Sequence, residues 1–240
     1  MSGKRQNFLL EKTIDIFRGV RPGKVLDIGC GDGDYSRRLK DMGFDIIAGD
    51  MDEKRFRYHG EIPFKYCDIT KSLPFPDNYF DHVLLMEVVE HLRNPYTVLA
   101  ELARIIKPRG FLVLSTPNIL SLKSRFRYLF EGSYDYFREP PLDQVKNSRE
   151  VIFNLHLVPY RYHELEYLLN ESRLRVEGVY TSQYEGYGFC FLLPLIYLQS
   201  WQKERRAKKK HSIDYKRINT IVLSRQLLFG RHMIIKAEKQ

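Results

Sequence analysis

Residues 24–33, Lys-Val-Leu-Asp-Ile-Gly-Cys-Gly-Asp-Gly, combine a short apolar run with three closely spaced glycines. The apolar run predicts a buried strand, and the periodicity of residues 35–42 predicts a helix directly after the glycines. In an open parallel sheet, ligands bind beyond the carboxyl ends of the strands. Glycines there let the backbone approach a ligand, and the following helix offers free N–H groups. The stretch therefore predicts a ligand-binding turn in an α/β domain.

The rest of the chain continues this alternation of strand and helix. Helices are expected over 7–19, 35–42, 96–106 and 162–172, with one more after residue 86, and strands over 24–28, 44–48, 64–67, 81–86, 111–115, 174–181 and 231–237. Such alternation is typical of a parallel sheet covered by helices on both faces. We expect one α/β domain over residues 1–240, doubly wound around a seven-stranded, mostly parallel sheet with one antiparallel strand. Two long insertions, at about 119–161 and 186–230, interrupt the pattern and are candidate binding segments.

Composition excludes several classes of protein. The three cysteines are far apart and form no CxxC pair, which argues against a disulfide framework and a cysteine zinc site. The longest run without a charged residue is the 17 residues 186–202, shorter than the roughly 20 apolar residues of a spanning helix. The first residues lack the apolar stretch of a signal peptide. We therefore expect a cytoplasmic protein.

Charge is concentrated at the end of the chain. Residues 1–200 hold 27 basic and 27 acidic residues, whereas residues 201–240 hold 12 and 3, so the net charge of +9 arises there. A basic segment on a neutral body suggests contact with an anionic partner such as lipid headgroups, nucleic acid or a phosphorylated substrate. A solvated charged helix is the simpler alternative.

Acidic residues around the glycine turn narrow the choice of ligand. Asp27 ends the first strand, and Asp50 ends the second, where an acid accepts both hydroxyls of a ribose. Residue 34, where a dinucleotide fold carries its third glycine, is an aspartate. Asp27 and Asp34 would repel a pyrophosphate but suit a ligand with a cationic end. S-adenosylmethionine fits this description better than NAD, which remains the alternative, together with a turn that binds nothing.

At this point the chain resembles the class I S-adenosylmethionine-dependent methyltransferases, over about residues 20–185. The resemblance rests on residues 25–33, Gly-Asp-Met-Asp at 49–52, Cys-Asp-Ile at 67–69, residues 73–92 with Glu-Val-Val-Glu-His at 87–91, and residues 107–118. It implies a Rossmann-like fold and contacts to S-adenosylmethionine from Asp27, Gly29, Cys30, Gly31, Asp50, Met51, Asp68, Ile69 and Met86.

Methyl transfer needs a group that positions the acceptor and removes its proton. Glu87, Glu90 and His91 are spaced i, i+3 and i+4, so on a helix they would share one face. We expect His91 to act as the base, with Glu87 orienting it and His156 nearby. The alternative is that His91 only packs or caps the helix.

A divalent metal ion is a second possibility for the same residues. Glu87, Glu90, His91 and His156 offer oxygen and imidazole donors. This set is similar to that of two metal-using groups, the ubiquinone-pathway O-methyltransferases and the small-RNA 3′-end methyltransferases, although metal-free relatives share the string. His59, His163, His211 and His232 show no partner spacing and are expected to be structural.

The acceptor is the least determined part of the prediction. Within residues 186–217, an apolar run with Tyr197 and Trp201 precedes six basic residues in eight, a pattern that suits docking on an anionic membrane surface. We therefore predict an O-methyltransferase for a small-molecule, glycan or lipid-linked acceptor, cytoplasmic and peripheral at the membrane. An RNA methyltransferase, a non-catalytic adenosine-binding module and a dinucleotide oxidoreductase are the alternatives.

Overall fold

A computed structural model of the protein describes residues 2–137, 156–207 and 214–240. Its centre is a seven-stranded sheet. The strands are β1 Lys24–Ile28, β2 Asp45–Asp50, β3 Phe64–Tyr66, β4 Phe80–Met86, β5 Ile106–Pro117, β6 Leu174–Tyr180 and β7 His232–Lys239. Their order is β3-β2-β1-β4-β5-β7-β6. Strand β7 runs antiparallel to β5 and β6 on either side of it, and the remaining pairs of neighbouring strands are parallel. The predicted seven-stranded, mostly parallel sheet with one antiparallel strand is confirmed.

Helices cover both faces of this sheet. They are α1 Ser2–Phe17, α2 Asp34–Asp41, α3 Pro95–Ile105, α4 Leu122–Glu131, α5 Tyr162–Glu171, α6 Leu193–Ala207, α7 Tyr215–Val222 and α8 Arg225–Phe229. Two apolar clusters result, one on each side, because the central strands present buried side chains in both directions. The order of strands reverses at β1, with β2 on one side and β4 on the other. Ligands of doubly wound folds bind at such a reversal.

The helix predicted directly after β4 does not form. Residue 87 has a positive φ of 54°, and only a short 3₁₀ turn, Val89–His91, follows it. The backbone N–H of Glu87 donates to the Ser115 hydroxyl of β5 (3.0 Å), which keeps the chain bound to the sheet edge. Pro95 then begins α3, and a proline disfavours helical backbone in the residue before it. The turn at residue 87 and the proline at residue 95 therefore limit the segment between them to the 3₁₀ turn.

Residues 107–110, Lys-Pro-Arg-Gly, have the composition of a turn, yet they lie within the first part of β5. Strand pairing with β4 shifts between Phe80 and His82, and Arg109 has a φ of 63°. These residues are therefore an irregular part of the strand and not a separate turn between α3 and β5.

The two insertions contain more helix than expected. Residues 119–137 form α4 and a short return segment, while residues 138–155 lie outside the described part. Residues 187–192 form a 3₁₀ segment that packs against α4, and α6, α7 and α8 follow it. Part of the basic run, Lys208–Lys210, and His211 also lie outside the described residues.

Candidate active site

The glycine turn after β1 needs its glycines for two reasons. Gly29, Gly31 and Gly33 have φ values of 73°, 55° and 88°, which other residues adopt at a cost. A Cβ on Gly29 would lie 2.5 Å from a methyl group of Val88. A Cβ on Gly31, in contrast, would meet only the end of the Arg55 side chain at 3.6 Å. The turn is therefore packed closely against the segment after β4 and has more open space at Gly31.

Asp50 is bound to this turn. Its Oδ2 accepts a hydrogen bond from the Gly31 N–H (2.9 Å), and its Oδ1 accepts one from the Asp52 N–H (2.9 Å). Met51 lies beside it with 40% of its surface exposed. The structure thus brings Asp50 and Met51, two of the predicted cofactor contacts, together with the glycine turn at the carboxyl ends of β1 and β2.

Asp27 and Asp34 lie in very different surroundings. Asp27 is buried and accepts a hydrogen bond from the Ser36 hydroxyl (2.6 Å), and its burial raises its pKa to about 6. Asp34 instead forms an exposed ion pair with Arg57 (2.6 Å) and accepts from the Tyr58 hydroxyl (2.9 Å). The carboxylate of Asp34 therefore has protein partners at the surface, whereas that of Asp27 lies in the interior beside the glycine turn.

The remaining predicted cofactor residues surround the same strand ends. Asp68 accepts hydrogen bonds from the Thr70 hydroxyl (2.6 Å) and N–H (3.1 Å), and these contacts, with Lys71, lower its pKa. Cys30 is buried, and burial raises the pKa of its thiol. Ile69 packs against the core, and Met86 is buried at the end of β4.

Glu87 contacts β5 and β7 and does not share a helix face with Glu90 and His91. Its Oε1 accepts a hydrogen bond from the Ser115 hydroxyl (2.7 Å), and its Oε2 lies 3.9 Å from Nε2 of His232. The prediction that Glu87 orients His91 from the same helical face was wrong, because the chain at residue 87 is a strand-end turn.

Glu90, His91 and His156 do come together. The Glu90 carbonyl accepts the N–H groups of Leu157 (3.0 Å) and Val158 (3.1 Å), which hold the distant segment against the 3₁₀ turn. As a result, His156 Nε2 lies 3.9 Å from Glu90 Oε1, and the rings of His91 and His156 are 5.0 Å apart. One ligand atom from each of the three residues lies within 4.8 Å of the others.

The Glu90 carboxyl group is the unusual member of this cluster. It is fully buried, and neither of its oxygens has a hydrogen-bond partner among the described residues. Burial raises its pKa well above the ordinary value. A buried carboxylate without a partner is costly, and a cation beside it would remove that cost. The three donors therefore fit a divalent metal ion, whereas Glu87, the fourth predicted ligand, is turned toward Ser115 and His232.

Sequence reasoning missed two contributors to this region. His232 was expected to be structural, yet it lies beside Glu87. Ser115 was assigned no partner, although it binds both the side chain and the backbone of residue 87. The register of β7 against β5 pairs His232 with Pro117 and so brings it to the same sheet edge. No local signal predicts that β7 inserts between β5 and β6.

Comparison with known proteins agrees with this geometry. Residues 26–114 match a family model described as a methyltransferase domain. The chain is 24% identical over 191 residues to a ubiquinone biosynthesis O-methyltransferase of Rickettsia bellii, covering 72% of this chain and 80% of that one. It is 32% identical over 166 residues to the enzyme of the same name from Roseobacter denitrificans, covering 58% and 65%.

Solved structures show the same fold. A SAM-dependent methyltransferase from Archaeoglobus fulgidus superposes with a TM-score of 0.60 at 22% identity, over 98% of this chain and 94% of that one. A SAM-dependent methyltransferase from Aquifex aeolicus gives 0.54 at 18% identity, over 96% and 89%. These matches agree with the glycine turn, with Asp50 hydrogen-bonded to it, and with the seven-stranded sheet. The chain belongs to the class I S-adenosylmethionine-dependent methyltransferases.

Proposed function

We propose that the protein is an O-methyltransferase that moves the methyl group of S-adenosylmethionine to a hydroxyl group of a small, lipid-linked acceptor. One observation carries this proposal. Val88 packs against Gly29 of the cofactor turn, and the polar side chains of Glu87, Glu90 and His91 lie on either side of Val88 in the chain. A methyl donor bound at the turn would therefore lie next to groups able to handle a hydroxyl proton.

The chemistry asks little of the protein beyond position and proton transfer, because the cofactor carries the reactive methyl group. An imidazole of His91 or His156 would accept the hydroxyl proton as the oxygen attacks in line with the breaking S–C bond. Glu87 would accept a hydrogen bond from the acceptor and fix its orientation. Hydroxyl acceptors suit such a site because they must lose a proton to become good nucleophiles.

The alternative use of these side chains is a divalent metal ion held by Glu90, His91 and His156, in which case both imidazoles are ligands and neither is the base. When bound, such an ion lowers the pKa of a hydroxyl that coordinates it and fixes that hydroxyl in place. This part is tested by adding Mn²⁺ to protein from which metal has been removed with a chelator and recording the histidine resonances: paramagnetic broadening that is strongest at His91 and His156 supports it. Uniform spectra, or equal binding to a Glu90→Gln variant, would contradict it.

The names of the relatives and the surface of the protein support the proposed acceptor class. The relatives are named for ubiquinone biosynthesis, and ubiquinone is a lipid, which favours a lipid-linked acceptor over a glycan. RNA methylation, the alternative from the charge pattern, draws on the same basic residues and has no further support among the described ones. Phospholipid docking and RNA binding are separated by the experiments below.

A continuous aromatic face supports docking at a membrane. Phe126 of α4 contacts Phe130, Phe189 and Phe191 at ring-centroid distances of 4.7, 4.8 and 5.9 Å. Phe130 and Phe191 are nevertheless 70% and 62% exposed. Large apolar side chains exposed together, and not singly, mark an interaction surface.

Cations follow this aromatic face along α6. Lys203, Arg205 and Arg206 lie in its last turns, and Arg205 stacks over Trp201 at 3.8 Å from the ring centroid. Aromatic residues with adjacent cations suit the interface of an anionic bilayer, where each cation contributes about 1 kcal/mol. None of the described helices is long and apolar enough to cross a membrane. We therefore propose peripheral attachment to the cytoplasmic leaflet.

The catalytic proposal is tested with S-adenosylmethionine labelled on the methyl group. The protein and a lysate of its host are incubated with it, and label is counted in lipid, water-soluble, RNA and protein fractions. We expect label in the lipid fraction, lost in Asp50→Ala, which removes the Gly31 contact. Asp45→Ala, at the opposite end of β2, is the matched control and should keep the signal. Label confined to RNA would replace the proposal with its alternative.

The docking proposal is tested by co-sedimentation with vesicles of phosphatidylglycerol and phosphatidylcholine. A Phe130→Ser/Phe191→Ser variant should remain in the supernatant while the unaltered protein sediments. Tyr167→Ser removes an equally exposed aromatic residue from α5 (63% exposed) and should sediment normally. Equal partitioning of all three proteins would remove the membrane from the proposal.

A further inference from the structure

His232 occupies a position that the proposed chemistry has not used. It begins β7, is only 9% exposed, and its Nδ1 lies 2.6 Å from the Ser182 hydroxyl. Its Nε2 lies 3.9 Å from Oε2 of Glu87. Tyr136, whose φ is 73°, places its ring at a centroid distance of 6.3 Å from the imidazole, with the two ring planes inclined by 28°. Ser182, His232 and Glu87 thus form a line that ends beside the predicted acceptor site.

The contacts along this line set where the imidazole proton lies. A serine hydroxyl hydrogen-bonded to Nδ1 can donate its proton to that nitrogen, which leaves the ring proton on Nε2, facing the Glu87 carboxylate. Buried imidazoles favour the neutral form, and burial lowers the pKa of His232 accordingly. The charged groups acting on it are Glu87 and Glu185, which favour its cation, and Arg231, which opposes it.

Glu87 would then be held from two sides. Its Oε1 accepts the Ser115 hydroxyl at 2.7 Å, and its Oε2 faces His232. The 3.9 Å separation from Nε2 is longer than a hydrogen bond. At this distance the imidazole of His232 is still a polar neighbour of Oε2. We infer that it limits rotation of the Glu87 carboxylate about the Cγ–Cδ bond. A carboxylate anchored at one oxygen alone would turn away from an acceptor more readily.

We propose that His232 is a positioning residue for methyl transfer, which orients the Glu87 carboxylate toward the acceptor while Ser182 holds its ring. This inference rests on the proposed role of Glu87 in binding the acceptor hydroxyl. The inference adds a residue of β7 to the site and gives a reason for the position of His232 between Ser182 and Glu87.

The first experiment needs neither acceptor nor cofactor. Side-chain ¹H–¹⁵N spectra of the whole protein should show His232 as the neutral Nε2–H form. Glu87→Gln should shift the Nε2 resonance and lower the pKa of His232, because a facing negative charge is removed. Ser182→Ala should shift the Nδ1 resonance. A His232 resonance and titration unchanged by Glu87→Gln would overturn the proposal, whether or not an acceptor is known.

The second experiment uses a matched set of substitutions, assayed with methyl-labelled S-adenosylmethionine and the unlabelled lipid fraction of the host as acceptor. Gln places its amide where Nε2 lies, Asn places it where Nδ1 lies, and Phe keeps only the ring stacked with Tyr136. We expect His232→Gln to keep kcat within about threefold, and His232→Asn and His232→Phe to lose at least about tenfold. The KM for S-adenosylmethionine should stay unchanged in all three.

The outcomes of the two experiments distinguish failure of the proposed role of His232 from failure of the proposed function. Equal losses in the Gln, Asn and Phe variants, or a raised KM for S-adenosylmethionine, would assign His232 a merely structural role. Absence of methyl transfer in the unaltered protein would count against the proposed function, whereas the spectra would still decide whether His232 faces a charged Glu87.

Discussion

Replacing His82 with phenylalanine should make the protein more resistant to acid. The imidazole of His82 lies inside an aromatic cluster, stacked on Phe111 at 3.8 Å, with Phe17 and Phe44 edge-on at 5.9 and 6.3 Å. It is 9% exposed, and its Nδ1 has no hydrogen-bond partner among the described residues. Burial lowers its pKa from 6.5 to about 4, with a smaller contribution in the same direction from Lys236.

The sign and size of the effect follow from proton linkage. The unfolded chain binds a proton at this histidine near pH 6.5, whereas the folded protein does so only near pH 4, so acid favours unfolding in this window. The free energy of unfolding therefore falls by about 2 kcal/mol at pH 5 and by about 3 kcal/mol below pH 4 through this one residue. Phenylalanine fills the same aromatic site and removes the titration.

Urea unfolding followed by circular dichroism at pH 7, 6 and 5 measures this directly. At pH 7, the free energy of unfolding of His82→Phe should match that of the unaltered protein within about 1 kcal/mol. Between pH 7 and pH 5, the difference between the two proteins should change by about 2 kcal/mol in favour of the variant. Val83→Ala, on the same strand and fully buried, should lower the free energy of unfolding equally at every pH. Parallel curves for His82→Phe and the unaltered protein between pH 7 and 5 would refute the reasoning.

Three further predictions concern the cofactor site and its support. Because burial raises the pKa of Asp27 to about 6, affinity for S-adenosylmethionine measured by calorimetry should fall about tenfold from pH 7 to pH 5 if only the carboxylate binds; Asp27→Asn should bind weakly at both pH values. Gly29→Ala should cost at least about 2 kcal/mol of unfolding free energy in urea, from its positive φ and the contact with Val88, and a variant as stable as the unaltered protein would contradict this. Asn118 is buried and donates to two backbone carbonyls, at 3.0 and 2.7 Å, so Asn118→Ala should cost about 3 kcal/mol in urea unfolding.

Local pattern was enough to predict most of the sheet. The runs at 24–28, 81–86 and 111–115 are apolar because their strands are buried on both faces, and that property is visible without knowledge of neighbours. The glycines at 29, 31 and 33 and the acid at 50 were recognisable because a turn that approaches a ligand needs those residue types at those positions. These features depend on a few consecutive residues, so the sequence determined them.

The arrangement around the acceptor depended on contacts between distant segments. Asp34 pairs with Arg57, 23 residues away, and no pattern in the sequence predicts this contact. Glu87 left its expected helix because Ser115, 28 residues away, binds its backbone and side chain. His232 reached the site only because β7 inserts beside β5. Long-range hydrogen bonds and strand order leave no periodic signal in the chain, and the tertiary structure alone decided them.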